Sequence, residues 1–308
     1  MLIKKPNFWN KINLLSLLLL PFSFFYYLLF LIKKNFSTLQ QFNIPIICIG
    51  NIFIGGTGKT PLSIYIYEFL KKKKFKPAIA RKHYESHFDE INLTKERVNH
   101  LFLNKKRIVS VENAVKKKNN VVILDDGFQD FSIKKDLNII CFNDSDFIGN
   151  GLLLPSGPLR EPLHSLNKAH IVVINGKRNL TFEKKIRLFS EAVEIFYSEY
   201  KIRKKPKVKN KKILAFAGIG NPDSFFKLLE KNNFNIKKRI SFPDHYSYKK
   251  EDIKKLQTLA KNENLKLITT EKDFFRLKQL GFKKIDYIIV DLIISEYKKF
   301  EKEILKYL

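Results

Sequence analysis

Cysteine is nearly absent: Cys48 and Cys141 are the only two, each embedded in an apolar run. Two such thiols exclude a disulfide frame and a cysteine zinc site, and they point to core packing in a reducing compartment. Acidic residues are scarce as well, 30 Asp plus Glu against 58 Lys plus Arg, which leaves a net charge of +28. That balance points to anionic partners: nucleic acid, an anionic membrane or a phosphorylated substrate. The excess is mostly Lys beside abundant Asn and Ile, so part of it is compositional habit. Nucleic acid is disfavoured, because zinc-finger spacing, an aromatic RNP run and basic-zipper heptads are all missing. No repeat of roughly 20–50 residues is visible.

At 308 residues and 44% hydrophobic content, the chain is long enough and apolar enough for two domains with separate cores. Its one long hydrophobic run is Ile12 to Ile32, INLLSLLLLPFSFFYYLLFLI, preceded by Lys4, Lys5 and Lys11 and closed by Lys33 and Lys34. The run approaches the ~20 residues that span a bilayer. No small-residue cleavage site comes after it, which argues against a signal peptide. A spanning anchor fits. So does a helix lying in the cytoplasmic membrane interface, with Pro21 in its middle and basic residues at both ends.

Ile46 to Pro61, IICIGNIFIGGTGKTP, organises the rest of the chain. An apolar strand, a glycine loop and a helix from Leu62 onward are the order that a phosphate-binding P-loop needs. Gly55, Gly56, Thr57 and Gly58 would wrap phosphate with backbone N–H groups. Lys59 would reach the outer phosphates and Thr60 would meet Mg2+. The strict pattern places Gly at position 53, where this chain has Phe53.

Strands are expected at Pro77 to Ala80, Val109 to Val111, Val121 to Leu124, Leu137 to Phe142 and Ala169 to Asn175. Arg81 to Asn92 reads as a polar loop and Asn113 to Lys118 as a short helix. Asp125 and Asp126 come directly after four apolar residues, the pattern by which a buried strand delivers a carboxylate beside Mg2+. An Asp that merely caps the next turn is the other reading. Lys201 to Lys212 reads as a solvated linker. A second α/β unit then begins at Ile213, with strands at Leu265 to Thr269 and Tyr287 to Val290 and a Lys- and Glu-rich surface helix at the end. Its G-x-G has Asp223 at the third glycine position, so a dinucleotide fingerprint is poorly supported. The expected class is α/β: a P-loop NTPase-like parallel-sheet domain over 36–205, a second, smaller α/β domain over 206–308, and an N-terminal membrane-associated helix over 1–35.

GNIFIGGTGKTP, VVILDDGFQD, LPSGPLREP, FAGIGNP, FPDHY and TEKD occur in this order. Together they resemble the tetraacyldisaccharide 4′-kinase family, the lipid A 4′-kinases, over essentially the whole chain. The resemblance implies an ATP- and Mg2+-dependent kinase at the cytoplasmic face of the inner membrane. It would move the γ-phosphate of ATP to the 4′-hydroxyl of a tetraacyldisaccharide 1-phosphate, giving lipid IVA. By the same analogy Asp125, Asp126 and Gln129 line the metal side with Thr60. Asp89 is the base, His245 its partner from the second domain, and Lys59 the catalytic cation. Glu90 and Arg160 would meet the lipid substrate. The implied partners are that lipid and the membrane surface, with no nucleic acid and a monomeric state. Three departures stand out: Phe88 where the family has Gly before Asp-Glu, Arg81-Lys82-His83-Tyr84 in place of R-G-Y, and Asp130 where it usually has His.

The strongest rival is a membrane-associated P-loop ATPase of the partitioning type. That class carries a Lys immediately before the two glycines, and Ile54 stands there. A regulatory GTPase would need N-K-x-D for guanine, but NKAH at 167–170 ends in His170.

Overall fold

The computed structural model describes residues 6–84, 88–145, 147–204, 206, 211–244 and 246–308. In chain order the first elements are α1 (Leu14–Leu18), α2 (Leu20–Asn35), β1 (Ile46–Gly50), α3 (Lys59–Lys72), β2 (Pro77–Lys82) and α4 (Phe88–Arg97). Next come β3 (Leu101–Asn104), α5 (Arg107–Lys116), β4 (Val121–Asp125), β5 (Leu137–Asn143), β6 (Ile171–Asn175), α6 (Leu180–Arg187) and β7 (Glu194–Lys204). The last are β8 (Lys212–Ala217), α7 (Pro222–Lys231), β9 (Asn235–Ser241), α8 (Lys250–Asn262), β10 (Lys266–Thr270), α9 (Glu271–Gln279), β11 (Asp286–Ile294) and α10 (Tyr297–Leu305).

Contacts divide the chain into two compact units. Among the described residues, the larger holds 6–83, 98–199 and 293–308; the smaller holds 84–97 and 200–292. These are not the segments expected from the sequence. Residues 84–97, expected with the P-loop domain, belong with residues 200–292, and the chain returns to the larger unit for its last helix.

In the larger unit the strands run β3-β2-β4-β1-β5-β6-β7, and the paired neighbours are parallel. β1 and β4 are buried along their whole length, as strands covered on both faces must be. The register sets Ile49 of β1 beside Asp125 of β4. The P-loop and the acidic residue therefore leave neighbouring strands at their C-terminal ends, where α/β sheets place ligands. α3 packs on β1, β2 and β4, and α5 on β2 and β3.

The strand expected at Val109 to Val111 is instead part of α5. Arg107, Ser110, Val111 and Ala114 are its buried residues, spaced i, i+3, i+4 and i+7, and that helical periodicity outweighs two β-branched valines. The terminal helix α10 is not merely a surface element. Phe300 and Ile304 are fully buried, and Phe300 meets Phe196 edge-on, with 5.1 Å between ring centroids.

The long apolar run does not form one helix. Asn13 and Ser16 cap α1 reciprocally. Pro21 then sits in the first turn of α2, where its missing N–H breaks the hydrogen-bond ladder from α1. α2 has 16 residues, a rise of ~24 Å against a hydrocarbon core of ~30 Å. Among the described residues no helix is long and apolar enough to cross a membrane. Lys4 and Lys5 lie outside the described residues. Leu14, Leu17, Leu18, Phe22, Phe24, Phe25, Leu29 and Ile32 are exposed. The inner side of α2 is anchored by Ser23, which donates to the Leu153 carbonyl at 2.9 Å, and by Tyr26, which donates to the Arg160 carbonyl at 2.9 Å.

In the smaller unit the strands run β11-β10-β8-β9, again parallel. Alternate residues of β8 face two cores, as the pleat requires. Ile213, Ala215 and Ala217 pack with Phe225, Phe226 and Leu229 of α7. Leu214 and Phe216 pack with Ile253, Leu256 and Ala260 of α8. β9, NIKKRIS, alternates exposed with half-buried residues, Ile236 and Ile240 on the half-buried face, and stands at the end of the order, where lysines discourage further pairing. The expected linker is partly strand: β7 continues to Lys204, and residues 205 and 207–210 lie outside the described residues. The polar loop expected through Asn92 is helical from Phe88. Asp89 and Glu90 in its first turn and Lys95 and Arg97 in its last suit the helix dipole.

Candidate active site

The P-loop is held open by its neighbours. Ile52 to Ile54 align with 158–160: Ile54 N–H donates to the Pro158 carbonyl at 2.8 Å, and Arg160 N–H donates to the Ile52 carbonyl at 2.7 Å. This pairing turns the Phe53 ring into the core, where it is fully buried and stacks on Phe142 at 6.1 Å. The missing glycine is thus a packing position. Gly58 caps α3 in the left-handed region, with φ of 84° and no side-chain cap, a conformation that glycine adopts at little cost. The free N–H groups of the α3 N-terminus then face the loop, the usual arrangement for an anion. The Thr57 hydroxyl is buried and has no hydrogen-bond partner among the described residues.

Asp125 closes β4 and is almost wholly buried. Its Oδ2 accepts from Thr60 Oγ1 at 3.0 Å and from Arg81 Nη1 at 3.2 Å. Its Oδ1 is buried without a hydrogen-bond partner among the described residues. Gln129 behaves similarly. Its Nε2 donates to the Asn51 carbonyl and to Glu161 Oε1, both at 2.8 Å, so the amide can be oriented only one way. Its Oε1 is then left buried and without a partner among the described residues. Glu161 is fully buried, and that burial pushes its carboxyl above the usual range despite the Gln129 and Ser165 bonds.

Asp126 is committed elsewhere. It sits in the left-handed region with φ of 55°. Its Oδ1 accepts from Arg160 Nη1 at 3.1 Å and pairs with Lys59 Nζ at 3.6 Å. Burial alone would raise this carboxyl, but Lys59, Arg160 and Arg107 outweigh it and hold the group at about 2. Arg107 Nη2 donates to the Asp126 carbonyl at 2.7 Å, while its Nη1 pairs with Asp130 at 2.9 Å. Asp130, the departure from the family's His, is therefore the counter-charge of a buried arginine.

Among the described residues no group of three His, Cys, Asp or Glu could hold a metal by itself. Mg2+ on a nucleotide needs only one or two protein ligands, with phosphate and water supplying the rest. The Asp125 oxygen without a partner among the described residues, on the carboxylate that the Thr60 hydroxyl bonds, fits that requirement, and the Gln129 oxygen is likewise an available ligand. The oxygen of Asp126 that binds two cations fits it less well.

Of the expected residues, Thr60 bonds Asp125 and Lys59 pairs with Asp126, while Gln129 bonds the Asn51 carbonyl and Glu161. Arg160, expected at the lipid, donates at 3.0 Å to Asn51 Oδ1 as well as to Asp126. Asn51, Arg81, Arg107 and Glu161 were not anticipated. Their only sequence marks are an Arg near the end of β2 and the Arg-Glu of LREP.

A second charged centre lies in the smaller unit. Asp89, in the first turn of α4, is almost wholly buried. It pairs with Arg276 Nη2 and lies 3.8 Å from Lys272 Nζ, both on α9. Glu90 accepts from Lys272 at 2.7 Å. Burial opposes the charge on Lys272, but Glu90, Asp89 and Asp244 raise its pKa above the usual value. His245, the expected partner of Asp89, lies outside the described residues.

A family model for tetraacyldisaccharide-1-phosphate 4′-kinase matches residues 15–308. The tetraacyldisaccharide 4′-kinase of Pelagibacter ubique is 39% identical over 99% of this chain and 98% of that protein. The enzyme of that name from Rickettsia bellii is 32% identical over 88% of this chain and 89% of its own. A crystal structure of the "apo" form of LpxK from Aquifex aeolicus in complex with ATP superposes with a TM-score of 0.71 and 25% identity. The match covers 96% of this chain and 99% of that one. A family model over residues 15–308 and relatives of this identity and coverage show that the chain belongs to the tetraacyldisaccharide 4′-kinase family.

Proposed function

We propose that this protein transfers the γ-phosphate of ATP to the 4′-hydroxyl of a tetraacyldisaccharide 1-phosphate, giving lipid IVA. The observation that carries this reading is Thr60 bonded to Asp125 at the start of the P-loop helix, with Asp125 Oδ1 buried and without a partner among the described residues. Phosphoryl transfer asks for positioning, charge neutralisation and a proton acceptor. The α3 N-terminus and Lys59 meet the phosphates. Thr60, Asp125 and Gln129 hold Mg2+, which when bound offsets the charge of the phosphate oxygens. Asp89 takes the proton of the attacking hydroxyl, with His245 as its partner, and Glu90 meets the sugar.

The protein acts as a monomer on the cytoplasmic face of the inner membrane. Supporting this are the exposed apolar residues of α1 and α2, Lys33 and Lys34 at the end of α2 and a net charge of +28, which suits an anionic leaflet. An apolar cavity of about 580 Å³ opens beside α2, lined by Leu20, Phe24, Tyr27, Leu152, Leu153 and Phe189. Its lining suits the acyl part of such a substrate.

The test is transfer of labelled phosphate from ATP to the disaccharide 1-phosphate in mixed micelles, with Lys59→Ala as the control. ATP hydrolysis that ignores the acceptor would instead favour an ATPase of the partitioning type.

A further inference from the structure

Three stretches of the smaller unit, GIGNP, TEKD and Tyr248 after FPDH, converge on one buried group. Asp273 of TEKD is fully buried. Its Oδ2 accepts from the Gly218 N–H at 3.0 Å and from Thr270 Oγ1 at 2.7 Å. Its Oδ1 accepts from Tyr248 OH at 3.1 Å and from Arg276 Nη1 at 2.9 Å. The same Nη1 donates to the Gly218 carbonyl at 2.7 Å. A Cβ at residue 218 would stand 2.9 Å from Tyr248 OH and 3.1 Å from Asp273 Oδ1, so glycine lets this backbone approach. One arm of the guanidinium is thereby fixed, and the other, Nη2, lies on Asp89. We propose that Arg276, pinned by Asp273 and Gly218, is a positioning residue that orients the Asp89 carboxylate and keeps it ionised, with Lys272 as the second cation.

This rests on the reading of Asp89 as the base. A planar, permanently charged fork with both arms engaged fixes a carboxylate in direction as well as charge. A plain staple between α4 and α9 would show the same contacts, but it would not couple the titration of Asp89 to turnover. The charged groups facing Asp89 include Arg276 and Lys272 of α9 and Glu90 of its own helix. Asp244 acts on Lys272, while Asp273 and Tyr248 lie behind Arg276. Each cation in contact favours the ionised carboxylate, so removing one disfavours it. The base then needs a higher pH to be free.

The experiment is the pH profile of kcat/KM in micelles for the wild type and for Arg276→Gln, Arg276→Lys, Lys272→Gln and Asp89→Asn, with thermal melting as the folding control. Arg276→Gln should move the acid limb up by roughly 1–3 pH units. Lys272→Gln should move it less, in the same direction. Arg276→Lys keeps the charge and loses the fork, so kcat should drop roughly 10- to 100-fold with the limb nearly still and KM for ATP unchanged. An unmoved limb in Arg276→Gln, whether or not kcat falls, overturns the proposal. If Arg276→Gln does not fold, an unmoved limb in Lys272→Gln with normal kcat in Arg276→Lys overturns it equally. Near-normal kcat in Asp89→Asn would overturn the reading of Asp89 as the base. Loss in Asp89→Asn beside normal Arg276 variants would overturn the positioning role alone.

Discussion

Thr60 Oγ1 donates to Asp125 Oδ2 at 3.0 Å, joining the first turn of α3 to the end of β4. Arg81 from β2 reaches the same oxygen at 3.2 Å, so the charge of Asp125 is offset on one side and its Oδ1 is left for a ligand. Asp125→Asn keeps the shape, weakens the pull on Mg2+ and deprives buried Arg81 of its counter-charge. The expected result is a stability loss of about 1–3 kcal/mol, measured in urea, and a higher Mg2+ requirement for ATP-analogue binding. Normal Mg2+ dependence in a folded Asp125→Asn protein would remove Asp125 from the metal set.

The Lys59–Asp126 pair gives a prediction with a pH signature. The carboxyl is lowered from 3.8 to about 2 in the folded protein. Its contribution to stability is therefore complete above the unfolded value near 3.8, and it is lost as pH falls toward about 2. Lys59→Ala removes the first of the lowering charges and should narrow that window, so the variant loses less stability between those limits than the wild type. Turnover should fall by orders of magnitude, because the charge on the outer phosphates is gone. A folded Lys59→Ala protein that turns over normally would rule out the P-loop role.

The part of the site that was legible lay where local pattern and chemistry coincide. A continuous apolar run ending in GGTGKT, and another ending in Asp-Asp, can each be recognised without the rest of the chain. Arg81 and Arg107 carry no such mark. In a chain with 58 basic residues, what distinguishes these two is burial against Asp125 and Asp130, which only the fold supplies. The clamp on Asp89 was invisible for the same reason, since Arg276 lies 187 residues away. The helix at Phe88 was missed because its buried residues are Asp89, Ile91 and Thr94, only one of them apolar, so hydrophobic periodicity had little to detect.

The exposed apolar residues of α1 and α2 predict how the protein holds to membranes. Burying eight or so such side chains at roughly 1.5–3 kcal/mol each outweighs a few lysine contacts at about 1 kcal/mol each. High salt should therefore leave most of the protein on anionic vesicles, and deletion of residues 1–34 should release it. Sedimentation with vesicles in rising salt decides this, and complete stripping by salt would mean the attachment is electrostatic.

Phe53 offers the sharpest test of what a departure from a motif means. Phe53→Gly restores the strict P-loop pattern, so a pattern-matcher would expect it to be harmless or helpful. The structure says otherwise. The ring is fully buried and stacks on Phe142, which in turn meets Phe182 at 5.1 Å. Removing it opens a cavity in the core under the loop and adds backbone freedom at a position paired with Leu159. A large aromatic-to-small change of this kind costs about 3–5 kcal/mol, with roughly 1 kcal/mol more for the glycine. Phe53→Gly should therefore shift the urea midpoint strongly downward and raise KM for ATP as the loop loosens. Phe53→Leu, which keeps apolar contact, should recover most of the stability and bind ATP nearly normally. If Phe53→Gly were as stable as the wild type, the ring would not be what holds the loop against 158–160.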